Sequence, residues 1–246
     1  MQLHKWIAAS SVLALMACDV TIKHPDGDEA KQQNQGAAAP PQQPQQSANP
    51  QDQANAQSVA RARDLALTFG NDQQRAQARD AAQREFENLR FEVDISDRKI
   101  RAFNDDKLIG TQPVAVGTKE WPTPTGSWEF HRVDLNPEWI PPKDEKWAEK
   151  EKTQAPGSPD NPMGRARLVY RMPNTVHGTN DVASLGKASS HGSIRVANDV
   201  VLRLAQTLLK AGGAWEGQQW FDRMAQNRTE EYQIDLKKKI PIKVQE

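Results

Sequence analysis

The sequence predicts a mainly β fold with a few helices, an α+β chain in which a helical segment precedes the β domain. Three observations carry that assignment. Phe91-Glu92-Val93-Asp94-Ile95 alternates apolar and polar side chains, the period at which successive residues face opposite sides of a strand. Residues 99–103 and 108–116 continue as short strands divided by the polar turn Asn104-Asp105-Asp106. One long amphipathic helix follows much later: Val201, Leu204, Ala205, Leu208 and Leu209 share a face, Asn198 is placed to cap its start, and Gly212-Gly213 ends it. The 156 residues from Phe91 to Glu246 are a single-domain amount of chain.

Ahead of that domain the sequence changes character twice. His4 and Lys5 precede an apolar run from Trp6 to Ala17, too short to span a bilayer and laid out like a secretory signal peptide, residues 1–17. The run ends Leu15-Met16-Ala17-Cys18, which resembles a bacterial lipobox. That resemblance implies lipidation of Cys18, cleavage behind Ala17, and a periplasmic protein held to a membrane by its lipid. Asp19 resembles an inner-membrane retention signal. Residues 31–57 hold ten Gln, six Ala, four Pro and three Asn with no large apolar side chain, so residues 18–57 are expected to be a disordered tether. Residues 58–90, rich in Ala, Arg, Gln and Glu, read as one or two helices broken near Gly70-Asn71, with Ala82, Phe86 and Leu89 at helical spacing. They are expected to form a collar packed against the domain.

Composition excludes several kinds of chemistry. The 246 residues carry 32 Lys+Arg against 32 Asp+Glu, so no global charge draws the chain to nucleic acid. A mean hydropathy of -0.80 and 37% hydrophobic residues agree with part of the chain building no core. One cysteine, Cys18, excludes an intrachain disulfide, a cysteine zinc cluster and an iron–sulfur centre. No spacing of His, Asp and Glu recommends a metal site and no Gly-rich phosphate loop is present, so no cofactor is expected. The stretch from Trp121 to Trp147 holds neither helical nor strand periodicity for long. Trp121, Trp128, Trp139 and Trp147 are candidates for a groove holding peptide or sugar, with packing the expected role for most of them.

Two of the five histidines stand in informative surroundings. His177 lies in Val176-His177-Gly178-Thr179, and His191 in Ser190-His191-Gly192-Ser193-Ile194-Arg195-Val196-Ala197-Asn198. The second segment is a small-residue turn before the amphipathic helix. A serine after glycine at such a turn can expose its hydroxyl and use neighbouring backbone N–H groups as oxyanion donors. His177 is then the candidate base. The alternative is that both His-Gly pairs are plain turns, since neither contains a carboxylate to complete a triad.

On these residues the chain resembles the YkuD-like L,D-transpeptidase catalytic-domain family, whose members act on bacterial peptidoglycan. The family core is an Ile/Val-His-Gly-Thr segment followed by Ser-His-Gly-Cys-Ile-Arg-hydrophobic-x-Asn. Further likeness lies in Val93-Asp94-Ile95-Ser96-Asp97-Arg98-Lys99-Ile100, Val114-Ala115-Val116-Gly117, Thr123-Pro124-Thr125-Gly126, Asn136-Pro137-Glu138-Trp139-Ile140-Pro141-Pro142 and Asn161-Pro162-Met163-Gly164, and in the tail from Trp215, covering residues 91–246 in order. The resemblance implies a β-sandwich catalytic domain with a role in cell-wall biogenesis and cell shape. It implies attack on the carbonyl between the third and fourth residues of a stem peptide, with acyl transfer to an amine or water. His177 would be the proton acceptor, the Gly178 carbonyl would orient it, and the Gly192 and Ser193 amides would form the oxyanion hole. His191 would support the loop, and Arg195 would steady it or face substrate carboxylates.

One position departs from the family: Ser193 stands where the nucleophilic cysteine is expected, and Cys18 cannot replace it. A thiol ionises within reach of neutral pH, whereas a serine hydroxyl must lose its proton during attack. Serine enzymes usually orient their histidine with a buried carboxylate, for which Asp181 and Asp199 are the sequence's candidates. Three readings follow: an acyl-transfer enzyme using Ser193, a pseudoenzyme that keeps the groove and binds peptidoglycan, and a Cys-to-Ser form of an active enzyme.

Overall fold

The computed structural model describes residues 50–246. The signal-like segment, Cys18 and the tether as far as residue 49 lie outside the described residues. The chain enters with α1 (Pro50–Phe69) and α2 (Asp72–Arg84). Helix α1 takes in residues 50–57, which the sequence reading placed in the tether. Pro50 has the fixed φ that suits a first helical position, and Ala54 and Ala56 are strong helix formers, so the helix extends through this segment, while Leu67 near its other end joins the core. At Gly70 the helices break. The Asn71 side chain accepts from the Gln74 N–H (2.9 Å) while the Gln74 side chain accepts from the Asn71 N–H (2.8 Å), a reciprocal cap.

Helix α2 stops at Arg84, short of the helical spacing read through Phe86 and Leu89. Leu89 instead opens β1 (Leu89–Asp94), where its pairing with Asn104 of β2 (Lys99–Asn104) replaces a further helical turn. Then come β3 (Lys107–Pro113), the two-residue β4 (Val116–Gly117) and β5 (Gly126–Leu135). Strand β5 lies in the stretch that showed no lasting periodicity. It sits in the sheet interior, and its burial changes from alternating to continuous over Val133-Asp134-Leu135. A strand covered on both faces does not alternate.

A long loop leads to β6 (Ala166–Val169), β7 (Val176–Thr179), β8 (Ala188–Ser190) and β9 (Ile194–Ala197). Helices α3 (Asn198–Ala211) and α4 (Gln218–Gln226) then carry the chain back to β10 (Tyr232–Gln245). Eight strands form one mixed sheet in the order β3-β2-β1-β10-β5-β6-β7-β9, and β4 pairs with β8 separately. The expected mainly β architecture with a preceding helical segment is therefore present.

Helix α3 packs on β5, β6, β7, β9 and β10, with Val201, Ala205, Leu208 and Leu209 fully buried. Its cap differs from expectation: the capping position is Ala197, with no side-chain cap. The Asn198 side chain is committed elsewhere, accepting from Arg165 N–H and donating to Asn180 Oδ1. The helical collar is tied to the domain by an Arg79–Glu216 ion pair at 2.8 Å and by Asp64 accepting from the Gln218 N–H at 3.2 Å.

Phe130 anchors the sheet interior, edge-on to Phe91 at 5.5 Å and to Tyr170 at 5.8 Å. It is wholly buried. Truncating a buried phenylalanine costs about 3–5 kcal/mol, so Phe130→Ala is expected to lose that much in urea unfolding, with a matching fall in midpoint.

Candidate active site

Sheet register builds the site. Asp134 of β5 pairs with Arg167 of β6, Arg167 with His177 of β7, and His177 with Arg195 of β9. Cross-strand partners share a face, so four adjacent strands contribute one row of polar side chains. Arg167, His177 and Arg195 open into a cleft of about 160 Å³ that also receives Ser190, His191 and Ser193. Trp139, Ile140, Pro142, Trp147, Met172 and Pro173 supply apolar walls.

His177 is 2% exposed. Its Nδ1 lies 2.8 Å from the Gly178 carbonyl, and a carbonyl only accepts, so Nδ1 carries the proton and Nε2 keeps the lone pair. Burial pushes the ring's pKa from 6.5 down to about 4, against the pull of the Gly178 and Pro162 carbonyls and with help from Arg195 and Arg167. The result is a neutral imidazole with an accepting Nε2.

The 190–193 loop is held by its own small side chains. Ser190 Oγ donates to the Ser193 carbonyl (2.5 Å) and accepts from the Gly192 N–H (3.2 Å). Gly192 has φ +97°, which favours glycine, and a Cβ there would stand 2.6 Å from Asn174 Nδ2 and have to displace that carboxamide. Ser193 Oγ accepts from the Thr175 N–H at 3.2 Å. Of the two amides expected to stabilise an oxyanion, that of Gly192 is engaged by Ser190. The Ser193 N–H has no protein partner among the described residues and is the open donor.

His191 sits on the rim, stacked face to face on Trp147 (centroids 3.9 Å, planes 7° apart) and edge-on to Trp121 (4.5 Å). Burial holds its pKa below the ordinary value, Arg195 adds to this, and Glu120, Glu145 and Glu151 oppose. Trp128 lies away from this group, packed against Tyr170 at 5.6 Å.

The two arginines differ in their partners. Arg167 donates to the buried Asp134 (2.7 Å) and to Glu231 (3.1 Å), and Arg132 shares Asp134. Arg195 has no ion pair among the described residues and its Nε is buried without a partner. Burial lowers its pKa, with Asp181 opposing. An uncompensated guanidinium beside Ser193 favours an anionic group there.

Neither acid suggested by the sequence orients His177. Asp199 is exposed and bound to Arg203 at 2.7 Å, Asp181 is exposed, and the Nδ1 position belongs to the Gly178 carbonyl. The residues that sequence reasoning missed are Thr175, Arg167, Asp134 and Asn174. A charge flanked on both sides by apolar residues, as in Val133-Asp134-Leu135 and Ala166-Arg167-Leu168, was the available signal for two of them. Among the described residues no group of three or more His, Cys, Asp or Glu is placed to hold a metal ion.

The buried neutral ring ties stability to pH. The unfolded chain protonates His177 near 6.5 and the folded chain only near 4. Stability is therefore complete above the higher value and is lost as pH falls toward the lower, with a limit of roughly 3 kcal/mol. Urea unfolding of native protein and His177→Gln between these pH values is expected to show the flatter dependence in the variant.

Residues 88–215 match the YkuD family, described as the L,D-transpeptidase catalytic domain. Among curated relatives, YqjB of Bacillus subtilis, named an L,D-transpeptidase, is 34% identical over 110 residues, covering 42% of this chain and 57% of that protein. YkuD of Bacillus licheniformis, likewise named, is 33% identical over 117 residues, covering 47% of this chain and 58% of that protein. The chain thus spans a little over half the length of these relatives. The solved structure of L,D-transpeptidase 3 from Mycobacterium tuberculosis is 15% identical with a TM-score of 0.41, covering 65% of this chain and 61% of that one. An L,D-transpeptidase from Mycobacterium smegmatis is 17% identical with a TM-score of 0.39, covering 65% and 59%. Membership rests on the sequence match, which takes in more than half the chain and includes His177, Ser193 and Arg195: the chain belongs to the L,D-transpeptidase catalytic domain family.

Proposed function

We propose that this chain transfers acyl groups from peptidoglycan stem peptides, with Ser193 as the acyl-carrying residue. The observation that carries the reading is the meeting, in one cleft, of a neutral His177 with an accepting Nε2, the Ser193 hydroxyl and the free Ser193 N–H. Ser193 Oγ attacks the carbonyl between the third and fourth stem residues as Nε2 takes its proton. The oxyanion that forms is met by the Ser193 N–H. Collapse breaks the peptide bond, and His177 returns the proton to the departing amine. An acceptor amine or water then attacks the ester through the same base and regenerates the hydroxyl. Arg195 is the group suited to a stem carboxylate. In this reading the domain works in the periplasm, tethered through lipidated Cys18, on the support of the sequence from Trp6 to Asp19.

The Thr175 N–H pointing at Ser193 Oγ helps to stabilise negative charge developing on that oxygen. The base is poorly matched to serine. A ring oriented by a carbonyl and holding a pKa near 4 gives less drive for removing a hydroxyl proton than a carboxylate-oriented one. That observation favours a second reading, in which the cleft binds stem peptides without turning them over.

Incubation with a stem tetrapeptide and an acceptor amine, with products identified by mass spectrometry, separates the two. The enzyme reading predicts slow product from the native chain, none from Ser193→Ala, and a rate higher by on the order of 10²-fold or more in Ser193→Cys. Product from Ser193→Ala at the native rate would remove Ser193 from the chemistry. Product from Ser193→Cys alone would leave the native chain a binding protein.

A further inference from the structure

The asparagine five residues after Ser193 does not cap its helix, and its actual surroundings adjoin the candidate base. Asn198 Oδ1 accepts from the Arg165 N–H at 2.9 Å, and Asn198 Nδ2 donates to Asn180 Oδ1 at 2.8 Å. One carboxamide therefore joins three separate pieces of chain: the lead into β6, the exit from β7 and the start of α3. Asn180 in turn donates to the Pro159 carbonyl at 3.1 Å, extending the tie into the loop before β6.

Two glycines make room for this carboxamide. A Cβ on Gly164 would stand 2.2 Å from Asn198 Oδ1 and 2.6 Å from the Gly178 carbonyl carbon, and a Cβ on Gly178 would stand 2.3 Å from the same Oδ1. Asn198, Gly164 and Gly178 are thus in three-way contact, with the Gly178 peptide confined between the other two. Gly178 bears the carbonyl that receives the His177 Nδ1 proton. That carbonyl determines which ring nitrogen is left to accept.

We propose that Asn198 is a positioning residue: by filling the space against Gly178 and bridging Arg165 to Asn180, it holds the Gly178 carbonyl in place and thereby keeps His177 in the Nδ1–H tautomer. Among the described residues Asn198 makes no hydrogen bond to the ring or to Ser193, so it acts through the peptide. Removing the carboxamide opens a void beside that peptide and strips the Arg165 N–H and the Asn180 side chain of their partners. The Gly178 peptide, still paired with Val196 of β9, then loses its packing on this side, the carbonyl holds the ring less firmly, and the proton can move to Nε2, which then no longer accepts. Asn198→Asp retains the size and the oxygen that accepts from Arg165, and gives up only the donation to Asn180.

The catalytic consequence rests on the acyl-transfer reading, whereas the tautomer does not, so the two are measured separately. The full chain, labelled with ¹⁵N-histidine and examined by NMR near neutral pH, reports the protonated nitrogen of His177, whose signals are identified by their loss in His177→Gln. The native chain is expected to show Nδ1–H alone. Asn198→Ala is expected to raise the Nε2–H form several-fold, and Asn198→Asp to restore the native pattern. In the Ser193→Cys background, Asn198→Ala is expected to lower kcat roughly tenfold with KM little changed. Should Asn198→Ala fail to fold, Asn198→Ser, which cannot span both partners, is read in the same way. A folded Asn198 variant whose His177 tautomer is unchanged, even with a lower Tm, overturns the proposal and leaves Asn198 a stability residue only. A shifted tautomer in a chain that turns over no stem peptide upholds the positioning role and counts against the acyl-transfer reading alone.

Discussion

The hydrogen bond from His177 Nδ1 to the Gly178 carbonyl, buried where water does not reach, is the contact on which the cleft depends. It leaves Nε2 as the accepting nitrogen of a ring that lines the same cleft as Ser193, and it does so with a neutral partner. A carboxylate in that position would also stabilise the imidazolium formed when the base takes a proton. A carbonyl orients the ring while offering much less charge stabilisation, and the flanking Arg167 and Arg195 work against the charged form. The arrangement suits a nucleophile that can surrender its proton easily. Ser193 is not such a group, so in the proposed acyl-transfer reading the base and the hydroxyl are poorly matched.

The surrounding fold can be read as support for that contact. Parallel pairing of β7 with β9 places His177 beside Arg195, and the short β6–β7 antiparallel ladder places it beside Arg167. Asp134 neutralises Arg167 from the next strand, so among the described residues the row's cation without an ion pair is Arg195, two residues from Ser193. The 190–193 loop is gripped by Ser190 from within, by Trp147 through His191, and by Asn174 against Gly192. Three loops from distant parts of the chain thus meet at four residues. Precision at Ser193 comes from the sheet edge and these loops together.

What the sequence disclosed follows from how local each feature is. His177, Gly178 and the 190–195 segment were legible because a histidine followed by glycine, and a small-residue turn leading into an amphipathic helix, carry their chemistry within a few residues. Strand β1 was legible because its burial alternates along the chain, and β2 and β3 because a polar turn divides them. Strand β5 was not, since burial on both sides removes the period. Asp134 and Arg167 lie 33 residues apart and become partners only through register. Asn198 was misassigned for a physical reason: the pattern that marks a helix cap is the same whether the carboxamide turns back on its own helix or reaches across to Arg165 and Asn180.

The most direct measurement of the central claim is detection of the acyl-enzyme itself. The native chain and Ser193→Cys are incubated with a stem tetrapeptide lacking any acceptor, quenched in acid, and analysed by intact mass and peptide mapping. The account predicts a tripeptidyl adduct on residue 193 in both, as an ester that builds slowly in the native chain and a thioester that builds quickly in the variant. An adduct on the Ser193→Cys variant alone, or on neither chain with the stem peptide left intact, would contradict it.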